Sequence, residues 1–456
     1  MVNITMDKLV SICKQYGFIF QGSEIYGGLA NTWDYGPLGV ELKNNLKKAW
    51  WKKFIQESKH SYGVDAAILM NPRVWEASGH VQNFSDPLID CKECKSRQRA
   101  DKLVEAVDPE IDGDSMSDEE LYDYIVKHGI KCPKCGKSNW TKIRQFNLLF
   151  ETSRGVIKDD ASKVYLRGET AQGEFVNFLN VQKSMRAKLP FGIGQVGKAF
   201  RNEITPGNFT FRTVEFEQME HQLFCKDEDS MNFYENYKQK AWDFLISLGI
   251  KEDDIRFKDH EKLVFYCKAA CDIQYRFPFG FDELWGTHHR GTYDLSRHEE
   301  YSGNQMRYLD PDTNEKILPT VVESSVGADR LALAILCNAY ENQTLEDGTT
   351  REVMHFHPFL APYKAAVLPL VKKHHKEKAE EVYNMLSKDF MITYDETGNI
   401  GKRYRREDVA GTPFCITIDD ETINNGTVTV RDRDTMKQDI IKVEELKDYL
   451  NEKIKF

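Results

Sequence analysis

Residues 197–220, GKAFRNEITPGNFTFRTVEFEQME, restrict the fold more than any other stretch of the 456-residue chain. Phe200, Ile204, Phe211, Val214, Phe216 and Met219 interleave with Arg201, Glu203, Arg212, Glu215, Glu217 and Glu220 around a turn at Pro206, Gly207 and Asn208. Alternation at period two on both sides of such a turn predicts an antiparallel hairpin with one charged face. Two readings of that face stand: a solvated surface laced with cross-strand ion pairs, or a platform that brings a polyanion and a cation together.

Bulk properties narrow the class. Composition is that of a globular chain, 41% apolar and 29% charged, and the length predicts about three domains. No run approaches the roughly 18 apolar residues of a membrane helix. The N-terminal MVNITMDKLVSICKQYG lacks a basic segment followed by an apolar one, so it reads as an amphipathic helix rather than a signal peptide. Leu9, Val10, Ile12, Cys13 and Tyr16 form its inner stripe and Gly17 stops it. A cytoplasmic protein with no membrane partner is expected. The net charge of −10 argues against nonspecific coating of nucleic acid. Most of that charge lies in residues 101–130, where ten acids face Lys102 and Lys127, so a local basic surface for RNA remains open.

The ten cysteines divide by spacing. Cys13, Cys225, Cys267, Cys271, Cys337 and Cys415 stand singly and read as reduced core residues. Cys91 and Cys94 in CKEC, with Cys132 and Cys135 in CPKC, present four thiolates that close tetrahedrally on a structural Zn²⁺; four unliganded loop cysteines are the weaker reading. The acidic segment between the knuckles, with the helical DEELYDYIVKHG, becomes an excursion clamped at its base.

The order of elements predicts an α+β fold. A helix GVELKNNLKKAWWKKFIQ, with Val40, Leu42, Leu46, Ala49, Trp50 and Phe54 inward, precedes strand-like DAAILMNP, KVYLRGET, the hairpin, KLVFYC and AACDIQYRF. A further helix opens at SSVGADRLALAILCNAY. A polar, Pro-punctuated stretch sets a boundary near 355. Beyond it, AAVLPLV, MITYDE, FCITID and GTVTVRDR alternate with KEKAEEVYNMLSKD and VEELKDYLNEKI, which predicts a C-terminal α/β unit. Residues 1–355 are therefore expected to form one domain carrying the knuckle insertion at about 90–145, and 356–456 a second. GIGQVG at 192–197 imitates a dinucleotide-binding turn, but Pro190 precedes it and the hairpin, not a helix, follows. The histidine pairs at 288–289 and 374–375, and His355 with His357, are assigned no metal.

FRNE with FRTVEFE across the turn resembles motif 2 of the class II aminoacyl-tRNA synthetases, and ESSVGADRLALAIL at 323–336 resembles their motif 3. The strand ending at Pro72 and the helix before it resemble motif 1, which builds the dimer interface in that class. YGPLG, NPRVWEASGHVQNFSDPL, SRQRADKL, LRGETAQG, YDLSRHEEYSG and APYKAAVLPL extend the resemblance to the homodimeric bacterial glycyl-tRNA synthetases over essentially the whole chain.

The resemblance implies a class II antiparallel sheet flanked by helices, a C-terminal anticodon-binding domain, and ligation of glycine to tRNA(Gly) at the expense of ATP with Mg²⁺. Attack of a carboxylate on the α-phosphate brings two anions together, so cations must bridge them. Arg201 is expected to do so, with Arg212 and Arg330 on the outer phosphates and Glu203 on the adenine amino group. Phe216 and Arg330 would sandwich the adenine, and Glu283 with a neighbouring carboxylate would hold Mg²⁺. Arg201, Glu203 and Arg330 form the catalytic set, and Asn202, Phe211, Leu284 and Gly327 complete the ATP site. Glu169, Gln218, Glu220, Glu323 and Ser325 are implied around the glycine ammonium and α-carbon, with Arg99 near its carboxylate. Lys402, Arg403, Tyr404, Arg405 and Arg406 mix cations with an aromatic, which suits contact with single-stranded RNA; a solvated basic loop is the other reading. Another class II synthetase of the same subgroup, or a non-catalytic nucleic-acid-binding relative, are the alternatives.

Overall fold

The computed structural model describes residues 4–108, 110–156, 162–203, 207–260, 263 and 267–456. Pro206 of the expected turn, and most of KLVFYC, lie outside them.

Helix α1 (Met6–Tyr16) opens where the Thr5 hydroxyl accepts from the Lys8 amide at 3.3 Å, and closes on Gly17, whose φ of 75° a side chain would resist. Leu9, Ile12 and Cys13 are buried, with Val10 and Tyr16 at the core's edge. Helix α2 (Pro37–Trp51) begins on a proline, whose missing N–H has no partner to lose there, and continues into a π-helical turn, Lys52–Gln56. Of its expected inner stripe Val40 turns outward, 41% exposed.

The main sheet comprises β1 (Ser61–Gly63), then, after helix α3 (Ala171–Val176), β2 (Phe191–Phe200), β3 (Glu215–Cys225), β4 (Ile255–Asp259), β5 (Ala269–Phe277), β6 (Gly280–Gly291) and β7 (Thr320–Gly327). Their order is β4-β5-β6-β7-β3-β2-β1, antiparallel except for the β1–β2 pair. Helix α4 (Ala328–Ala339) follows β7 without a loop.

The expected hairpin exists as β2–β3, but it pairs Phe200 with Glu215, so Arg201, Glu203 and Arg212 sit in its loop rather than on strands. GIGQVG lies inside β2, as its flanks require. DAAILMNP does not form a strand: Leu69 makes one isolated pairing with Leu166, and Pro72 starts a helix capped by the Asn71 side chain. Only Lys163–Tyr165 of KVYLRGET is a strand. Strand β6 was not anticipated, because its apolar residues do not alternate through DELWGTHHRG.

Register divides the sheet into two faces. Ile273, Trp285, Val326, Met219 and Val196 lie side by side and pack into the largest core. The neighbouring row of Asp272, Gly286, Ser325, Glu220 and Gln195 faces the other way. Phe175 of α3 packs against the far end of that second face, on Phe191, Ile193 and Phe224.

The insertion is a small sheet of Arg97–Arg99, Ser85–Asp90 and Arg144–Asn147 with helices Ala100–Val107 and Asp118–Lys127. Ile89, Leu103, Val104, Leu121, Ile125 and Trp140 form its core around Cys91 and Cys132. The C-terminal unit contains β8 (Ala365–Pro369), α5 (Lys372–Leu386), β9 (Ile392–Tyr394), α6 (Ile400–Ala410), β10 (Phe414–Ile418), β11 (Thr427–Asp432), β12 (Gln438–Lys442) and α7 (Leu446–Lys453). The sheet order is β9-β8-β10-β11-β12. Residues 402–406 lie in α6, not in a loop. Arg403 is buried and donates to the Pro369 and Leu370 carbonyls, and Tyr404 bonds the Thr417 hydroxyl, so Lys402, Arg405 and Arg406 alone face outward.

Asp408 of α6 joins the two units. Arg351, before the boundary, reaches it at 3.1 Å and Arg431 of β11 at 2.8 Å, with both arginines buried. Asp408→Ala leaves two guanidiniums without their carboxylate and should cost about 3–5 kcal/mol, read as a fall in the urea midpoint. Lys198→Ala, which breaks the exposed Lys198–Glu215 pair, should cost under about 1 kcal/mol.

Candidate active site

The strand register assembles the polar face residue by residue. Glu220 stands between Ser325 and Gln195, and Glu323 between Gln222 and His288. Glu283 joins them through a bulge: Trp285 pairs with Ile273, yet Glu283 pairs with Gln274, which leaves Leu284 as the extra residue. Without that insertion Glu283 would point into the apolar core, because it is an odd number of residues from Gly286 and His288.

At one end of the face the carboxylates converge. Glu220 accepts from Ser325 Oγ at 2.7 Å, from Gln218 Nε2 at 3.0 Å and from the Thr170 hydroxyl. Glu323 accepts from Gln222 Nε2 at 2.7 Å and meets Arg290 at 3.0 Å and His288 Nδ1 at 2.9 Å. Glu169 accepts from Gln172 Nε2 at 2.9 Å and lies 3.5 Å from His80. Arg290 is fixed by a two-pronged contact with Asp294 at 2.8 and 3.0 Å.

These carboxylates titrate differently. Burial opposes the charge on Glu169, but His80, Arg290 and Gln172 hold its carboxyl below the usual range. Burial likewise opposes Glu323, which Arg290 and His288 nevertheless keep low. Glu220 has no cation of its own, so burial, then Glu323 and Glu169, push it up to about 7.

The other end of the face is cationic and aromatic. Arg201, Glu203, Phe211, Arg212, Phe216, Gln218, Glu283, Leu284, Ser325, Gly327 and Arg330, all expected at the site, line one cavity together with Thr210, Thr213 and Asp329. Arg201 Nε donates to the Gly168 carbonyl at 3.1 Å, and its guanidinium lies over Phe216 and Phe84 at 5.3 and 5.1 Å. Arg330 lies over Phe211 at 4.3 Å and pairs with Glu283 at 3.2 Å. Arg212 pairs with Glu203 at 3.3 Å. Gly327 caps α4, and Asp329 accepts the Glu217 amide and the Lys43 ammonium, both at 2.7 Å, which ties α4 to β3 and α2.

Two expected residues stand apart from the cavity. The Asn202 amide donates to the Leu148 carbonyl. Arg99 is held at the base of the insertion, 3.2 Å from Asp86 and 3.1 Å from Asp101. Sequence reasoning also missed residues: Arg290, His288, His80 and Gln172 neutralise or hold the carboxylates. Arg290 lies three residues before the quoted YDLSRHEEYSG stretch, at the end of β6, and only its partner Asp294 falls inside that stretch.

The four cysteine sulfurs of Cys91, Cys94, Cys132 and Cys135 lie within 4.8 Å of one another. Cys91–Cys135 and Cys94–Cys132 are each 3.6 Å apart. Zn–S bonds of about 2.3 Å in a tetrahedron place sulfurs about 3.8 Å apart, so the set fits Zn²⁺. Among the described residues no helix is long and apolar enough to cross a membrane.

Glu220 gives this face a pH signature. Its native state keeps a proton that the unfolded chain, at the ordinary 4.5, has lost, so its contribution is full below pH 4.5 and fades as pH rises to about 7. Glu220→Gln should remove a fall on the order of 2 kcal/mol between about pH 5 and pH 7.5, read from urea midpoints at both.

Residues 364–453 match the anticodon binding domain, and residues 110–148 match insertion domain 1 of glycyl-tRNA synthetase. The chain is 60% identical to the glycine–tRNA ligase of Clostridium acetobutylicum, with 99% of each chain covered. It is 59% identical to that of Clostridium perfringens over the whole of both chains. The figure is 58% for that of Geobacillus kaustophilus, covering 99% of this chain and all of the relative.

Proposed function

Since the chain belongs to the glycine–tRNA ligase family, we propose that the polar sheet face carries out both steps of its reaction, with glycine at the carboxylate end and ATP at the cationic end. The enzyme activates glycine with ATP and passes the glycyl group to tRNA. The observation that supports this arrangement is the register itself, which sets Glu220 and Ser325 beside Gln218 and Gly327 on the same two strands.

Glu169, Glu220 and Glu323 bind the ammonium, Arg290 holds Glu323 in place, and Arg99 serves the substrate carboxylate from the base of the insertion. Arg201 bridges that carboxylate and the α-phosphate, lowering the repulsion between the two anions as the carboxylate oxygen bonds to the α-phosphorus and the bond to the bridging oxygen breaks, releasing pyrophosphate. To admit the base, Arg201 leaves the Phe216 ring, and the adenine takes its place with Arg330 above. Arg212 and Arg330 hold the outer phosphates, and Glu203 takes the adenine amino group. Glu283 and Asp272, hard oxygen donors on the same face, suit Mg²⁺, which when bound screens the charge of the phosphates. The pocket selects glycine by exclusion, because a β-carbon would meet the packed Ser325–Glu220 pair.

In the outer parts of the molecule, Lys402 and Arg405 on α6 contact the anticodon arm, and the domain boundary lies at 355/356. The exposed apolar side chains of Val40, Trp51 and Leu69 in the motif 1 region support a homodimer. The cellular site is the cytoplasm. The zinc clamps the insertion.

ATP–pyrophosphate exchange tested with all twenty amino acids should respond to glycine alone; exchange with threonine or proline instead would overturn the substrate assignment. Arg201→Ala should reduce glycine-dependent exchange at least about a hundredfold while costing only about 1 kcal/mol of stability, the scale of its contacts with Phe84 and Phe216. Metal analysis should find one zinc per chain, lost in Cys94→Ser, and the loss should expose residues 90–145 to protease. A metal-free protein with four titratable thiols there would contradict the site.

A further inference from the structure

Glu174 of α3 is fully buried, and neither of its carboxyl oxygens has a hydrogen-bond partner. Two more buried groups beside the glycine end of the sheet are also without partners: Gln222 Oε1 and Gln195 Nε2. Gln195 and Gln222 lie on the same face, and Phe175, next to Glu174, packs against Ile193, the cross-strand neighbour of Gln222. A β-carbon at Gly173, next to Glu174, would lie 3.4 Å from Gln195 Oε1, and the Gln222 main-chain N–H is close to Glu174, so among the described residues the unpaired carboxyl group lies near both amides and is bonded to neither.

The missing element is a proton. An ionised Glu174 has no hydrogen to give Gln222 Oε1, whereas a neutral carboxyl group has one to donate. We propose that Glu174 is a positioning residue for the glycine site, giving a hydrogen bond from its neutral carboxyl group to the Gln222 side-chain oxygen and so fixing the amide that holds Glu323. The other end of that amide already donates to Glu323 Oε2 at 2.7 Å. This rests on the assignment of Glu169, Glu220 and Glu323 to the glycine ammonium.

The charges around Glu174 favour the neutral form. Burial comes first, then Glu220 from β3, Glu323 from β7 and Glu169 from the approach to α3, and together they push its carboxyl well above the usual range. The Gln222 main-chain N–H, close by but outside hydrogen-bonding geometry, opposes this without cancelling it. Tyr237, across the sheet, is itself held neutral by burial. Arg167 is the cation in reach, but its guanidinium is directed to the Lys198 and Ala66 carbonyls. Three carboxylates already serve one ammonium, and a fourth buried charge would have no counter-ion. A buried acid kept neutral so that it can donate is a known solution to such crowding.

The test compares Glu174→Gln, which keeps a donor and an acceptor at that position, with Glu174→Met, which keeps the volume alone. Pyrophosphate exchange should show a glycine KM within about twofold of the parent in Glu174→Gln and raised about tenfold in Glu174→Met, with the ATP KM unchanged in both. Infrared difference spectra between Glu174→Gln and the parent at neutral pH should contain the band of a protonated carboxylic acid. An unchanged glycine KM in Glu174→Met, or Glu174→Gln as impaired as Glu174→Met, would overturn the proposal, as would the band of an ionised carboxylate. Glu169→Gln serves as the control for the site: if it leaves the glycine KM unchanged, the glycine assignment fails and this proposal with it. A raised KM there with an unaffected Glu174→Met removes the Glu174 role alone.

Discussion

The register of four antiparallel strands is the constraint on which the rest of the structure depends. Side chains alternate along each strand, so a one-residue slip of β3 against β7 would carry Glu220 into the core and bring Met219 out of it. The apolar face therefore enforces the polar one. Burial of the Trp285 layer is what prevents the charged face from shifting; a bulge at Leu284 breaks the alternation so that an extra carboxylate can join, and a second shift further along the same strand falls at Arg290, between His289 and Gly291.

That enforcement has an electrostatic cost, which the structure meets with neighbours rather than solvent. Glu169, Glu220 and Glu323 are held close together, and Arg290, His288 and His80 offset two of them. Glu220 is left with hydroxyls and an amide, and it is the one whose proton affinity rises. In the proposed arrangement a substrate ammonium supplies the cation that the protein withholds. Binding and charge balance then become the same event, and the site favours a small cation over an uncharged molecule of similar shape. The cationic end repeats the logic with opposite sign: Arg201 rests on aromatic rings and a carbonyl, with no carboxylate partner among the described residues. Arg212 and Arg330, by contrast, are paired with Glu203 and Glu283.

Much of this was legible in the sequence, for reasons that can be stated. The hairpin announced itself because Phe200 and Phe216 alternate with charges, and α4 because its apolar residues recur at helical spacing directly after a strand. The cysteine cluster was legible because paired C-x-x-C knuckles have few other uses. Strand β6 was hidden: Gly286, His288 and Arg290 occupy positions where an ordinary strand would show a simple pattern, and the bulge shifts the period partway along. Arg290 and Gln172 escaped for a different reason, since a residue that holds another residue carries no mark of its own. DAAILMNP looked like a strand because apolar content alone cannot separate a paired strand from an extended segment lying on a surface. Residues 402–406 looked like a loop because charge masks the helical stripe through Arg403 and Glu407, two buried polar residues.

The most direct measurement is a crystal structure of the protein with a non-hydrolysable analogue of glycyl-adenylate. The account predicts the ammonium at hydrogen-bonding distance, about 3 Å, from carboxylates of Glu169, Glu220 or Glu323, with Arg201 on the α-phosphate position and the adenine against Phe216. An analogue bound with its ammonium away from all three carboxylates, or with its base away from Phe216, would contradict the claim that one sheet face holds both substrates.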